Sequence, residues 1–285
     1  MANTFGKASP ERNKSNTINQ HRQSIPAIIN NLIYQADIIL EVLDARFIER
    51  TRHPVIEKKI RSMHKRIIYV LNKADLVNTH EIDETLELAK LNPHVFFSSK
   101  EKRGVVILRN LIKKEAKKVD KDAVNVGILG YPNTGKSSLI NSLILKASAR
   151  VSPIAGYTKT IQKIRLARGI YLIDAPGILH PEERTPINRE TSVKFSQIGA
   201  IDWNKIRDPE MVVDSLMKEY PEVLQRHYGL NTQSDSEVLI EELGRKLNYL
   251  RRGNQVDEIR TSKQVLRDWQ EGKIRIKDYN NSQNL

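Results

Sequence analysis

From Ile25 onward the chain alternates between short, unbroken apolar runs and longer stretches in which apolar residues recur every three or four positions. The first pattern is what a strand covered on both faces requires, and the second marks an amphipathic helix. The unbroken runs predict strands over 37–43 (DIILEVL), 66–71 (RIIYVL), 94–97 and 125–129, with 161–167 and 170–173 paired as a hairpin about Arg168 and Gly169. Helical periodicity predicts helices over 28–34, 53–63, 81–91, 105–118 and 136–145. Strands and helices alternating at these lengths call for a mostly parallel sheet with helices on both faces. Past Asp174 the strand-like runs cease, and 191–278 has helical periodicity broken at Pro209, Pro221, Gly229 and Gly253. The expected organisation is a polar leader over 1–24, an α/β domain over 25–180 and a mostly α-helical domain over 181–285.

Composition narrows the class. No apolar run approaches the roughly 18 residues of a membrane helix, so no membrane partner is expected. The absence of cysteine excludes disulfides, thiolate metal sites and a cysteine nucleophile, and fits a cytoplasmic location. The net charge of +13 is uneven: 1–180 carries +14, 181–244 carries −6 and 245–285 carries +5. Such an excess favours a polyanionic partner, nucleic acid before membrane, because each cation placed on a phosphate releases counterions. The basic clusters at 58–66, 113–118 and 245–277 are the expected surface for that polyanion, whereas Trp203 and Trp269 are expected as core anchors of the helical domain.

The chemistry is concentrated in five short segments. Gly130-Tyr131-Pro132-Asn133-Thr134-Gly135-Lys136-Ser137 fits G-x-x-x-x-G-K-[ST] between a predicted strand and a predicted helix. In that setting the backbone N–H groups of Asn133, Thr134, Gly135 and Ser138 are placed to face phosphate oxygens, Lys136 reaches the β- and γ-phosphates, and Ser137 ligates Mg²⁺. Asp174-Ala175-Pro176-Gly177 ends the strand YLID; Asp174 is placed for the Mg²⁺ shell, and Pro176-Gly177 for the γ-phosphate. Between them Thr158, in Ala155-Gly156-Tyr157-Thr158, is the residue expected to ligate Mg²⁺ only while a γ-phosphate is present, with Thr160 as the next choice.

The base is decided earlier in the chain. Asn72-Lys73-Ala74-Asp75 follows a strand, and the Asp75 carboxylate can accept from both N1–H and the N2 amino group of guanine, a donor pair adenine lacks. Ser98-Ser99-Lys100 supplies the second base loop.

These are the elements of a GTPase G domain with the guanine loops ahead of the phosphate loops, the order G4-G5-G1-G2-G3. The order resembles the circularly permuted GTPases of the YlqF/YawG (RbgA-like) type within the TRAFAC class, and Glu41–Arg46 (EVLDAR), Thr51-Arg52 and Leu266–Ile274 (LRDWQEGKI) extend the resemblance over roughly 25–277. The resemblance implies a P-loop GTPase fold, hydrolysis of GTP to GDP and phosphate, a role in ribosomal subunit assembly, and contact of the helical domain with rRNA. It also implies that Asn133 holds K⁺ against the phosphates and that His21, in Gln20-His21-Arg22, takes the place of a catalytic histidine; a turn-forming asparagine and a surface histidine are the plain alternatives. Ile178 stands where many GTPases carry a water-orienting glutamine, so low intrinsic turnover is expected. Two other functions remain open: a GTP-dependent factor for another RNA client, in tRNA or translation, and a GTP-gated RNA-binding scaffold with negligible hydrolysis. A monomer is expected, with nucleotide state felt at the junction 178–200 that follows the phosphate loop.

Overall fold

The computed structural model describes residues 25–83, 91–145, 163–174 and 189–276. Helix α1 (Ile25–Gln35) leads into β1 (Ile38–Asp44); α2 (Ile48–Thr51) and α3 (Pro54–Ser62) then cross over to β2 (Arg66–Asn72). A 3₁₀ turn (Ala74–Leu76) and α4 (Thr79–Asp83) precede β3 (His94–Phe96), and α5 (Val105–Ala116) carries the chain to β4 (Val124–Leu129). After β4 come α6 (Lys136–Leu145) and the hairpin strands β5 (Lys163–Ala167) and β6 (Ile170–Asp174). The six strands lie in the order β3-β2-β1-β4-β6-β5, parallel except for β5, which runs antiparallel to β6.

The parallel strands read as continuous apolar runs because both faces are covered. Leu40, Val42, Ile68 and Val70 pack with Leu108 and Ile112 of α5 and Leu139 and Leu143 of α6. The alternate residues Ile39, Leu43, Tyr69 and Leu71 pack with Leu32 and Ile33 of α1 and Ile60 of α3. A slip of one residue in the β1–β2 register would exchange these two sets, so the register Leu40↔Ile68 is fixed from both sides. At the hairpin Gly169 sits at φ 71°, and a Cβ there would lie 2.7 Å from the Asp122 carbonyl.

Beyond β6 the described chain is helical: α7 (Arg189–Gln197), a 3₁₀ turn (Trp203–Lys205), α8 (Pro209–Glu219), α9 (Pro221–Tyr228), α10 (Ser236–Lys246) and α11 (Glu258–Gln270). Pro209 and Pro221, expected as interruptions, are instead the first residues of α8 and α9, where a missing N–H is tolerated and φ is already helical. Gly229 ends α9 in the left-handed conformation. The helices close around Trp269, which is fully buried and donates Nε1–H to the Gln197 carbonyl at 2.9 Å. This core continues into Phe47 and Tyr131, so the helical layer rests on the loops at the C-terminal end of the sheet.

The helix expected over 81–91 is described only as α4; 84–90 lie outside the described residues, and Leu91 is buried without being helical. Helix α2 and both 3₁₀ turns escaped the sequence pattern because one turn of helix is too short to display a period.

Candidate functional site

Strands β2 and β3 extend to one side of β1, and β4, β6 and β5 to the other, so the order reverses between β1 and β4. In open α/β sheets such a switch point, at the C-terminal strand ends, is where ligands bind. Asn72 ends β2, Asp44 ends β1, Gly130 follows β4 and Asp174 ends β6, which brings the base and phosphate loops to one edge.

Asn72 joins the two. Its Nδ2 donates to the Thr134 carbonyl at 2.7 Å, and a Cβ at Gly135, where φ is 94°, would lie 2.1 Å from that nitrogen. Gly135 is therefore required by the close approach of Asn72 as well as by its positive φ. Asp75 is buried; Ser98 Oγ donates to its Oδ1 at 2.7 Å and itself accepts the Glu101 N–H at 3.0 Å. Ser98 thus orients the carboxylate from behind, while Ser99 and Lys100 line the cleft. Lys136 folds its ammonium onto the P-loop carbonyl of Gly130 at 2.9 Å, and Thr134 Oγ1 donates to the Tyr131 carbonyl at 2.9 Å. Ser137 and Ser138 are exposed at the N-terminus of α6.

Lys73 adopts φ 60° and extends its amine to Asp44, 2.7 Å away. Asp44 also receives the Arg46 guanidinium on both oxygens, at 3.0 and 2.9 Å, and the Arg46 N–H. Burial alone would raise this carboxyl, but the two cations outweigh it and hold it far below the ordinary carboxylate range. Arg46 then donates to the Trp269 carbonyl at 2.8 Å and lies over the Phe47 and Trp269 rings. A continuous polar chain therefore runs from the guanine loop to α11.

The cleft, of about 680 Å³, has a wall that the sequence did not announce. Gly199, Asp202, Trp203, Gln270 and Glu271, all from the helical layer, line it together with Lys73, Asp75 and the P-loop. Asn133 donates Nδ2–H to the Gly199 carbonyl at 2.7 Å. Gln270 accepts the Trp203 N–H at 3.0 Å and donates to the carbonyls of Ser196 and Ile201, each at 2.9 Å. Trp203 is half-buried: it packs on the edge of the helical core, as expected, and also lines the cleft. The segment LRDWQEGKI contains Gln270 and Glu271, and its recurrence in the resemblance was the available signal.

Among the predicted residues, Asn72, Lys73, Asp75, Ser99, Lys100, Asn133, Gly135, Lys136, Ser137 and Ser138 line one cleft, whereas Ser98 and Thr134 are buried behind it. His21, Thr158, Thr160, Pro176, Gly177 and Ile178 lie outside the described residues, as does the junction before α7. Asp174 is placed by its backbone at the end of β6.

A family profile described as "50S ribosome-binding GTPase" matches residues 125–225. The GTP-binding protein MJ1464 of Methanocaldococcus jannaschii is 37% identical over 88% of this chain and 66% of its own length. Nucleolar GTP-binding protein 2 of Saccharomyces cerevisiae is 36% identical over 85% of this chain and 50% of its own. GNP-bound YlqF from T. maritima superposes with a TM-score of 0.61 at 22% identity, over 87% of this chain and 93% of that one, a likeness of fold. The motif order follows the same pattern along the sheet. The chain belongs to the circularly permuted GTPases of the YlqF type. It spans between about half and two thirds of the length of these curated relatives.

In this member of the family the P-loop also has a buried polar backing. The His53 ring stacks on Tyr131 with centroids 4.2 Å apart, and the His53 N–H donates to Glu41 Oε1 at 2.9 Å. Glu41 sits inside β1 with Oε2 buried and lacking a hydrogen-bond partner among the described residues. Burial, reinforced by Glu57, pushes its carboxyl up to about 8, the His53 N–H offsetting this in part. The folded chain therefore retains a proton that the unfolded chain releases near pH 4.5, and Glu41's contribution to stability falls as pH rises from about 4.5 to about 8. Melting of Glu41→Gln beside the unsubstituted chain tests this: the difference in Tm should move in the variant's favour between pH 5 and pH 9. A difference independent of pH would count against a neutral Glu41.

Proposed function

We propose that this protein binds GTP and hydrolyses it to GDP and phosphate, and uses the cycle as a switch on a precursor of the large ribosomal subunit. The observation that carries the reading is one cleft lined at once by the guanine loop, the second base loop and the P-loop. Ribosomal work is supported by the wording of the matched profile and by the nucleolar relatives. Those names also make the nucleolus a competing location to the cytoplasm in a cell that has one.

In this reading Asp75 accepts from the guanine edge, and the backbone of residues 133–138 with Lys136 holds the phosphates. The exposed Ser137 hydroxyl is a hard oxygen donor that fits Mg²⁺ alongside phosphate oxygens, with Asp174 and Thr158 completing the shell. Pro176 and Gly177 serve the γ-phosphate. Asn133 has given its nitrogen to Gly199, so its carbonyl oxygen is the atom it can offer K⁺. The domain limits at 25–180 and 181–285, and His21 as a catalytic group on the particle, belong to the same proposal.

Steady-state GTP turnover tests it. With an aliphatic Ile178 after the phosphate loop, turnover alone should be on the order of 10⁻³ s⁻¹ or slower, as for an unassisted GTPase. Large-subunit particles in K⁺ should raise it at least about tenfold over Na⁺ without particles. GTP-dependent particle binding with no rise in turnover would instead support the scaffold, and stimulation by tRNA alone would support the other RNA client.

A further inference from the structure

The polar cluster behind the P-loop takes no part in nucleotide binding as proposed, although Glu41 and Arg52 belong to segments that the sequence singles out. It holds two buried carboxylates, Glu41 and Glu57, in opposite surroundings. Glu57 accepts Arg52 Nε–H at 2.9 Å and the Tyr69 hydroxyl at 2.8 Å, and the Arg61 guanidinium lies 3.5 Å away. Burial would raise Glu57, but these bonds and charges outweigh it and lower its carboxyl, so Glu57 is the ionised member. Glu41 faces Glu57 and Arg61 of α3 and Arg52 of the preceding loop, yet forms no ion pair among the described residues. Its register partners are Tyr69 on β2 and Leu129 on β4, and its described hydrogen bond is the one from the His53 N–H.

From Glu41 the contacts lead to the phosphate end of the cleft. The bond to Glu41 fixes the backbone of His53, whose buried ring seats Tyr131 in a stack with 21° between the planes. The Tyr131 carbonyl in turn accepts Thr134 Oγ1–H at 2.9 Å and the Lys136 ammonium at 2.5 Å. One residue earlier, a Cβ on Gly130 would lie 2.5 Å from the Val42 carbonyl, so the P-loop begins in close contact with β1 beside Glu41. The lysine assigned to the phosphates is therefore anchored on the residue that His53 seats.

We propose that Glu41 and His53 are positioning residues for the P-loop, and that loss of the Glu41 proton loosens the loop and weakens its hold on phosphate. A neutral Glu41 accepts from His53 without adding charge. Once ionised, it lies against the Glu57 carboxylate with Oε2 lacking a donor among the described residues. Both defects are relieved by water, which enters at the expense of the packing under Tyr131. The new negative charge also lies on the sheet side of the P-loop, where it opposes a bound phosphate. The two effects have one sign. Phosphate favours the protonated form, and by reciprocity its affinity falls as pH rises through the range in which Glu41 titrates, about 8. The hold on phosphate rests on the cleft being the guanine nucleotide site; the loosening of the loop does not.

The experiment uses the full chain and two independent signals: fluorescence of a labelled GDP, and hydrogen exchange of the backbone amides of residues 130–137. Each is taken as a ratio of variant to unsubstituted chain at the same pH, which cancels titration of the ligand and the intrinsic exchange rate. Glu41→Gln keeps an acceptor for His53 and cannot ionise. From about pH 6.5 to about pH 9 its GDP affinity, relative to the unsubstituted chain, should rise at least about fivefold, and its relative P-loop protection should rise with it. His53→Ala keeps the backbone N–H and removes the stack. At about pH 6.5 it should bind GDP at least about fivefold more weakly and exchange faster in the P-loop but not in β2, which separates positioning from a general loss of stability. An exchange ratio for Glu41→Gln that does not change with pH, or a His53→Ala chain with unaltered P-loop exchange, would overturn the positioning role. A constant affinity ratio beside a changing exchange ratio would overturn the hold on phosphate. If His53→Ala does not fold, the Glu41→Gln ratios decide alone. Absence of GDP binding in the unsubstituted chain would instead strike at the nucleotide assignment, leaving the positioning role to be decided by exchange.

Discussion

Replacing Asp75 by asparagine should exchange guanine for xanthine as the preferred base. The carboxylate is buried and oriented by Ser98, so both of its oxygens are presented in a fixed direction at the end of β2. In the proposed function it would accept two hydrogen bonds from guanine, and bonds to a charged acceptor contribute about 1.5–3 kcal/mol each. An asparagine amide in the same place meets the guanine amino group donor to donor, and GTP affinity should fall on the order of a hundredfold or more. Xanthine carries a carbonyl in place of that amino group, so the variant should bind xanthosine triphosphate more tightly than GTP. Competition of the two nucleotides for a fluorescent analogue measures both; GTP binding at full affinity in Asp75→Asn would remove Asp75 as the base reader.

The second large effect concerns stability. Asp44 is fully buried and gathers Arg46, Lys73 and the Arg46 N–H around one carboxylate. Removing its charge leaves two cations facing each other away from water, and breaking a buried pair in this way costs about 3–5 kcal/mol. Asp44→Asn should therefore unfold at a distinctly lower denaturant concentration. Its residual folded fraction should bind guanine nucleotide weakly, because Lys73 borders the cleft. Arg46→Ala should cost less, since Asp44 keeps Lys73, but should loosen α11, whose Trp269 carbonyl loses its donor. Urea unfolding with intrinsic tryptophan fluorescence measures both variants. Equal stability of Asp44→Asn and the unsubstituted chain would refute the energetic role given to the triad.

What the sequence disclosed follows from how locally each feature is encoded. The P-loop was legible because phosphate must be met by consecutive N–H groups, which forces glycines, lysine and serine into one short run. The parallel strands were legible because burial on both faces removes polar residues from them. Asn72 illustrates a limit: its motif marks it as a base-loop residue, yet its bond is to Thr134, a partner far along the chain. The contact of Asn133 with Gly199 and the wall formed by Trp203, Gln270 and Glu271 were illegible for the same reason, because they depend on where the helical layer docks. In the basic stretch 58–66, Lys65, Arg66 and Arg61 read as surface charge in sequence; that each also caps a helix or pairs with a buried carboxylate depends on distant partners and is not legible there.

The strand order has a consequence for how such a chain comes to life. β1, β2 and β3 are made first and form one contiguous half of the sheet, bearing the base loops; β4, β6 and β5 form the other, bearing the phosphate loops. A single covalent crossing, through α5, joins the halves, and they meet along the β1–β4 seam. During synthesis the nascent chain holds the purine reader before any phosphate cradle exists, so nucleotide cannot be grasped until the second half has docked. In the proposed function the bound nucleotide would span the seam as a clasp, its two ends gripped by segments that entered the fold at different times.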